Sequence, residues 1–172
     1  MDANAVAPAT VRAITGVRCV DGGIVGAPPR PPTTTHLYLS GAAADEVAEL
    51  FEGTGVVSRV VSEEVGAASA LKLAYAAWTK GTAALLLAID AFARTEGVGD
   101  ALLDEWCESL PHLPNALMRA ERSAAAKGWR WVGEMEEIAA AFQADDLPGG
   151  FHEAAAEVFR ARTPEWQRGV LS

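Results

Sequence analysis

Hydrophobic residues run almost without interruption through residues 66–94, in the middle of the chain. The segment contains no proline and is rich in alanine and leucine, which predicts one long helix. With a rise of about 1.5 Å per residue, this helix is roughly 40 Å long. Because its surface is apolar nearly all round, we expect it to lie in the centre of a helical domain or in a subunit interface.

Four polar residues interrupt this apolar surface: Ser69, Lys72, Tyr75 and Thr79. Spacings of three and four residues place them on one face of the predicted helix. Lys72 lies between two leucines, and desolvation by apolar neighbours favours a neutral amine, which suits an acid or base near neutral pH. The alternative is that the stem of Lys72 follows the apolar surface and its ammonium reaches water.

The remaining pattern predicts a fold that is mainly α. Strands are predicted at residues 17–21, 36–40 and 56–61, short helices at 8–14 and 43–51, and a Gly/Pro-rich loop at 22–35. From residue 62 onward only helical patterns occur, with further helices at 100–109, 116–142 and 151–162. We therefore expect a small three-strand α/β unit at 1–61 and an all-helical domain at 62–172, built on one long central helix.

Composition narrows the class of function. The chain has 172 residues and a formal net charge of −9, which argues against nucleic-acid binding because that requires a basic face. Two widely separated cysteines and the absence of a secretion signal predict a cytoplasmic protein with reduced thiols. Charged residues interrupt the central helix before it reaches the ~20 uncharged residues of a membrane span, so we expect no membrane association.

Two further motifs have alternative interpretations. Residues 21–26 (DGGIVG) follow a predicted strand, but they lack the G-x-G-x-x-G pattern and no helix follows them. A tight turn is therefore a simpler interpretation of this segment than a phosphate loop.

Residues 127–131 (KGWRW) combine two cations, two tryptophans and Gly128, which permits close approach of a ligand or another backbone. The alternative is that the tryptophans are core residues and Arg130 pairs with Glu134.

The histidines do not predict a metal site. None of the three has a Cys, His or carboxylate at a reliable metal-ligand spacing. His152 stands beside Glu153 at the start of a predicted helix, and we expect it at the surface. The sequence also has no G-x-S-x-G motif, which would mark a serine nucleophile.

The glycine-rich segment and the lysine-bearing helix together resemble the β-hydroxyacid dehydrogenase superfamily, which includes 3-hydroxyisobutyrate and 6-phosphogluconate dehydrogenases. The family has a strand, a glycine-rich substrate loop, and G-x-G-x-x-x-K-x-x-N-N on a long helix; here residues 21–27 are DGGIVGA and residues 66–72 are GAASALK. Residues 130–139 (RWVGEMEEIA) and 150–155 (GFHEAA) resemble its bacterial branch with the "phosphogluconate dehydrogenase, NAD-binding, C-terminal" domain, which is DUF1932-like. The resemblance covers nearly the whole chain.

The resemblance implies roles for individual residues. In the family the lysine is the acid/base that takes the proton from the substrate hydroxyl as hydride passes to the nicotinamide, which implies catalytic roles for Lys72 and Tyr75. Substrate contacts are implied for Gly23, Ile24, Val25, Gly26, Ser69, Ala76 and Thr79, and cofactor contacts for Lys127 and Asn4. Val25 replaces the family's loop serine, and Tyr75 and Ala76 replace its asparagines.

Residues 2–4 resemble the last strand region of the family's cofactor domain, so the resemblance implies that residues 1–61 are the end of a Rossmann-type domain. One hypothesis is the substrate-binding and dimerisation part of an NAD(P)-dependent oxidoreductase, a homodimer through residues 66–94 whose cofactor half is a separate chain or part. The other is a stand-alone non-redox enzyme (an isomerase, cyclase or lyase) or a ligand-binding helical dimer that reuses the same cleft. A third possibility is an inactive product of gene decay.

Overall fold

A computed structural model of the protein describes residues 1–3, 6–14, 16–30 and 34–163. The chain forms two compact units, Met1–Ala76 and Ala77–Ser172. The fold is mainly helical with one small three-stranded sheet, as the sequence predicts. Over the described ranges, no helix combines the length and apolarity that crossing a membrane requires.

The first unit is organised around the sheet. Its elements are α1 (Pro8–Arg12), β1 (Asp21–Gly26), β2 (Thr35–Ser40), α2 (Ala44–Glu49), β3 (Val56–Ser62) and the beginning of α3 (Ala67–Thr95). The strand order is β1-β2-β3, with β1 antiparallel to β2 and β2 parallel to β3. On the outer side of β1, the Asp2 N–H donates to the Val20 carbonyl at 2.9 Å, and the Gly22 N–H donates to the Asp2 carbonyl at 2.7 Å.

Alternation along β2 gives this sheet two different faces. Leu37 and Leu39 are buried in a core with Val20, Ala43 and Ala44, and α2 packs against that core. His36, Tyr38 and Ser40 point to the opposite face, because successive side chains of a strand alternate. We call this opposite face the α3 face, because it contacts the first turns of α3. In register across the sheet it carries Asp21, Gly23 and Val25 of β1, His36, Tyr38 and Ser40 of β2, and Val57 and Arg59 of β3.

The second unit contains the rest of α3 with α4 (Gly99–Ser109), α5 (Leu113–Ala144) and α6 (Gly150–Arg162). Buried residues recur along α5 every three or four positions, from Leu117 to Ala139, so that one face of the helix is covered. Gly128 lies on that face, and a Cβ added there would come 3.8 Å from Cδ1 of Phe159 in α6. An alanine at position 128 would therefore make ordinary van der Waals contacts, and the packing of α5 against α6 does not require glycine there.

The six predicted helices and two of the three predicted strands are present, with ends within three residues of those predicted, and one predicted strand is wrong. The long helix predicted at 66–94 is confirmed as Ala67–Thr95, and the predicted second and third strands are confirmed as β2 and β3. The strand predicted at 17–21 is wrong, since β1 spans Asp21–Gly26 and all but its first residue lie in the predicted loop. Glycine is unfavourable in strands in general. Here the missing side chain at Gly23 makes room for α3, and this tertiary contact explains why the glycine-rich segment forms a strand.

Candidate functional site

A buried carboxylate joins β1 to the start of α3. Asp21 is only 1% exposed. Its Oδ1 accepts a hydrogen bond from Ser69 Oγ at 2.6 Å, and its Oδ2 accepts one from the Ser69 N–H at 2.8 Å. Ser40 Oγ also donates to Asp21 Oδ2 at 3.2 Å, and it accepts from the Ala68 N–H at 3.0 Å.

This network caps the N-terminus of α3. The first N–H groups of a helix have no partner inside the helix, and a carboxylate there also interacts favourably with the helix dipole. Asp21 supplies the carboxylate from a different element, 48 residues before Ser69. The hydroxyl of Ser69, a predicted substrate contact, is therefore already engaged in holding the helix to the sheet.

Gly23 brings the glycine-rich segment against the lysine-bearing helix. A Cβ added at Gly23 would lie 2.6 Å from the Ala68 carbonyl oxygen and 3.2 Å from Cβ of Lys72. No side chain fits at such distances from a backbone atom, so only glycine permits this packing. The structure thus places Gly23 and Lys72, which the sequence singles out separately, next to each other.

Lys72 is half-buried and has no hydrogen-bond or ion-pair partner among the described residues. Lys80 differs, because its Nζ lies 2.7 Å from Oε1 of Glu134. A lysine held in an ion pair stabilises structure, whereas an unpaired one next to a sheet face is available to a ligand. Of these two lysines on α3, Lys72 is therefore the one that no ion pair holds among the described residues.

The other predicted site residues occupy varied positions. In β1, Val25 shares the α3 face with Gly23, whereas Ile24 points to the opposite face and is exposed. Gly26 ends the strand with φ of 114°. On α3, Tyr75 is exposed one turn after Lys72, Ala76 is buried, and Thr79 is exposed and belongs to the second unit.

The predicted cofactor contacts are in different settings. Asn4 lies outside the described residues. Lys127 is exposed on α5, with its Nζ 5.6 Å from the centroid of the Trp131 ring, and Nζ of Lys80 is 6.0 Å from the same ring. Among the described residues Arg130 does not pair with Glu134, although the alternative interpretation predicts that it does. It lies over the Trp129 ring at 5.0 Å, and Glu134 pairs with Lys80 instead.

The helix ends beside the sheet do not fit the pyrophosphate of a dinucleotide. Such a group binds where a glycine-rich turn leads from a strand directly into a helix N-terminus with free N–H groups. Here the N-terminus of α3 is already occupied by Asp21, and the first turn of α2 carries the acidic Asp45 and Glu46. In the described part of the first unit, these residues do not themselves form a dinucleotide phosphate site.

Sequence reasoning did not single out three polar residues of the α3 face: Tyr38, Arg59 and His36. Tyr38 pairs in register with Gly23 on one side and with Arg59 on the other, so all three share one row of the α3 face. The His36 ring stacks near the Tyr38 ring, with centroids 6.2 Å apart. The alternating pattern of residues 36–40 contained the signal, since it places His36 and Tyr38 on the face away from the leucines. Throughout the described ranges, no group of His, Cys, Asp and Glu is arranged to hold a metal ion.

The second unit contains a separate apolar cavity of about 760 Å³, lined by residues of α3 and α6 that include Trp78, Leu85, Phe151 and His152. His152 is buried, with only 8% of its surface exposed, so its predicted surface position is wrong. The first turn of α6 packs its ring 4.6 Å from that of Phe142 and beside Gly81 of α3. The His152 Nδ1 atom has no hydrogen-bond partner in the part of the chain that the structure describes, and burial lowers the pKa of the imidazole.

This burial makes stability depend on pH. The pKa of His152 is lowered from 6.5 in the folded protein, so between the two values the unfolded chain binds more protons. We expect the free energy of unfolding to fall as the pH drops below 6.5, measured by urea denaturation at several pH values. His152→Phe should flatten this dependence, whereas His112→Phe, at an exposed histidine, should keep it. Equal slopes for both variants would contradict the assignment.

The chain is similar to one family model and to solved structures. Residues 93–161 match the family model of a domain of unknown function, DUF1932. A conserved hypothetical protein from Sinorhizobium meliloti has 28% sequence identity and a TM-score of 0.70 over 93% of this chain. The conserved protein MTH1747 of unknown function, described as structurally similar to 3-hydroxyacid dehydrogenases, has 24% identity and a TM-score of 0.76 over 97% of this chain.

The chain spans only 56% and 65% of the lengths of these two structures. No curated protein matches the sequence significantly. Residues 93–161 are therefore similar to the DUF1932 family model, and the chain shares the fold of a structure similar to 3-hydroxyacid dehydrogenases, as its sequence resemblance implied.

Proposed function

We propose that this chain is the substrate-binding and dimerisation part of an NAD(P)-dependent oxidoreductase of the β-hydroxyacid dehydrogenase type, with Lys72 as its general acid/base. The observation that carries the proposal is the packing of Gly23 against Ala68 and Lys72, which joins the glycine-rich segment to an unpaired lysine. The fold shared with a structure similar to 3-hydroxyacid dehydrogenases supports it.

In this proposal Lys72 exchanges a proton with a substrate hydroxyl. Over the described residues its ammonium makes no hydrogen bond or ion pair, so it is available to the hydroxyl of a substrate. The backbone of β1 lies close to it, because Gly23 has no side chain to hold α3 away from the sheet. Tyr75 lies one turn further along α3 and contributes a phenol at the rim of the same site.

The nicotinamide dinucleotide is bound elsewhere in this proposal, since the helix ends beside the sheet do not fit its pyrophosphate. It belongs to a cofactor-binding part, supplied by a longer form of the protein or by a separate chain. The same misfit favours the second candidate function, a non-redox isomerase, cyclase or lyase that uses Lys72 as its acid/base. The replacement of the family's serine by Val25 points in the same direction.

Titration with NADH and NADPH distinguishes these functions. The chain has five tryptophans, so binding is measured as quenching of their fluorescence, followed by turnover assays on small hydroxyacids with and without oxidised dinucleotide. Turnover that requires dinucleotide, added with the cofactor-binding part if the chain alone does not bind it, supports the oxidoreductase. Turnover that persists without any dinucleotide would rule out the redox function and leave the non-redox enzyme.

We further propose that the chain forms a homodimer through α3. Trp78, Leu85 and Phe92 are 72%, 60% and 66% exposed and recur every seventh residue, so they form one apolar stripe along the helix. Phe151, at the start of α6, is 82% exposed. Side chains of this size are costly to leave in water, and a seven-residue spacing suits packing against an identical helix.

Leu85→Glu should dissociate this dimer. A buried charge without a partner opposes association, so we expect the dimer to weaken by at least about thirtyfold. Light scattering coupled to size-exclusion chromatography measures the mass of each variant. Leu50→Glu is the matched control, because Leu50 is also exposed but lies in the first unit. A monomeric wild-type protein, or equal behaviour of the two variants, would contradict the proposed interface.

A further inference from the structure

The apolar cavity of the second unit has a floor and a rim of different character. Its floor is made of small, buried residues of α3 and α6, among them Ala84 and Ala155, which are 2% and 4% exposed. Its rim carries the large exposed side chains of Trp78, Leu85 and Phe151. Small residues below and large ones around them leave a concave space of about 760 Å³, within the usual range of about 300–1,000 Å³ for small-molecule sites.

A titratable side chain, that of His152, is set into the floor of this cavity. The residue is 8% exposed, so more than nine-tenths of it is buried. The Nδ1–Cε1 edge of its ring faces Gly81, where a Cβ added to the glycine would come 3.8 Å from Nδ1 and 3.9 Å from Cε1. Among the described residues, neither ring nitrogen has a hydrogen-bond partner. Because burying a polar group without a partner costs free energy, the imidazole is a binding group that the protein itself does not use.

The position of the imidazole proton follows from this burial. Burial lowers the pKa of His152, so at neutral pH the ring is uncharged and holds one proton. Nδ1 is enclosed by the protein without a partner, and a buried N–H without a partner is rarer than a buried acceptor without one. The proton therefore belongs on Nε2, and Nε2–H is a donor for an acceptor in the cavity.

The charge of the lining selects the kind of occupant. With His152 neutral, the described residues that line the cavity carry no formal charge, so an anion would lose its hydration without meeting a cation. A second copy docked through the stripe Trp78, Leu85 and Phe92 would bring no hydrogen-bond acceptor, and Nε2–H would stay unsatisfied. The cavity and its imidazole therefore fit a neutral small molecule better than an anion or a second copy.

We propose that this cavity binds a neutral, mainly apolar molecule with one hydrogen-bond acceptor, such as a ketone or an ester, whose carbonyl oxygen accepts from Nε2 of His152. The apolar body of the ligand contacts the alanines of the floor and the large side chains of the rim. The cavity lies within the second unit and includes none of the residues around Lys72, so this inference does not depend on the proposed oxidoreductase.

Binding of Prodan, a neutral fluorescent ketone, to the full chain tests the cavity. Methyl heptyl ketone is then used to displace it, with nonanoate as the anionic comparison that has the same number of carbons. We expect the ketone to compete at least about tenfold more strongly than nonanoate at neutral pH. His152→Phe keeps an aromatic ring but removes the donor, so it should weaken binding of the ketone about five- to tenfold. His112→Phe is the matched control, because it changes an exposed histidine outside the cavity.

Filling the cavity is the second test. Ala88→Trp places an indole in the cavity and should abolish Prodan binding, whereas Ala83→Trp changes a half-buried alanine of α3 that is not among the described lining residues. Thermal unfolding of each variant shows that it remains folded. No Prodan binding by the wild type, or equal losses in His152→Phe and His112→Phe, would overturn the proposal.

The other occupants have their own signatures in these measurements. Competition by nonanoate as strong as that by the ketone would overturn the neutral class of ligand. If the wild type bound no ketone and Ala88→Trp alone dissociated a dimer in light scattering, a second copy would be the occupant and the small-molecule site would be refuted. The measurements need no turnover and no dinucleotide, so their failure is distinct from a failure of Lys72 as acid/base.

Discussion

Replacing Asp21 by alanine is expected to lower the free energy of unfolding by about 3 kcal/mol. The substitution removes both acceptor oxygens from a site that is 1% exposed and leaves the Ser69 N–H without a partner. Each buried donor left unsatisfied costs about 1–3 kcal/mol, and the start of α3 also loses its capping charge. Urea denaturation followed by circular dichroism measures the change.

Two further substitutions make the Asp21 result specific. Asp45→Ala removes an exposed carboxylate from the first turn of α2 and should cost less than about 1 kcal/mol. Asp21→Asn keeps the size of the side chain and one acceptor but turns an N–H₂ group toward donors, so its cost should lie between the other two. If Asp21→Ala were no more destabilising than Asp45→Ala, the capping network would have no energetic importance.

Lys72→Met should reduce kcat/KM by a factor of about 10²–10⁴, the range that a general acid/base contributes. Methionine has a similar length and suits half-buried surroundings, so the fold should be retained. The loss should appear mainly in kcat, because the proton moves only as the reaction proceeds. The same assay applies to both candidate functions, since each uses Lys72 as the acid/base.

Lys127→Met is the matched control for this measurement. Lys127 lies over the Trp131 ring on α5, and its substitution should leave kcat near the wild-type value. If it contacts the cofactor, as the resemblance implies, its substitution should raise the KM for dinucleotide instead. Full activity of Lys72→Met would refute the assignment of the acid/base in both candidate functions.

The local sequence was sufficient to predict the elements in which one hydrophobic periodicity dominates. The helix at Ala67–Thr95 was predictable to within one residue at each end, because no proline or glycine pair competes with its helical propensity. β1 was not predictable, because three of its six residues are glycine and only the contact between Gly23 and α3 explains them. The Asp21 cap was hidden for a similar reason, since it joins residues 48 positions apart.

Some residues of the candidate site could be predicted from the sequence, and others could be identified only from the structure. The family resemblance singled out Lys72 and the glycine-rich segment, and the structure places Gly23 beside that lysine. Tyr38 and Arg59 could not be selected from spacing, because their neighbourhood depends on strand order and register. The burial of His152 likewise depends on how α6 packs on α3 and α5, which periodicity does not specify.

The cap between Asp21 and Ser69 also bears on the order of folding events. Closing a loop of 48 residues costs conformational entropy, and contacts of this length generally form after local ones. The middle of α3 can therefore form early from its own propensity, while its first turn waits for β1 to pair with β2. The Ser69 amide consequently reports on assembly of the sheet, because its protection from hydrogen exchange depends on a carboxylate that only the finished sheet holds in place.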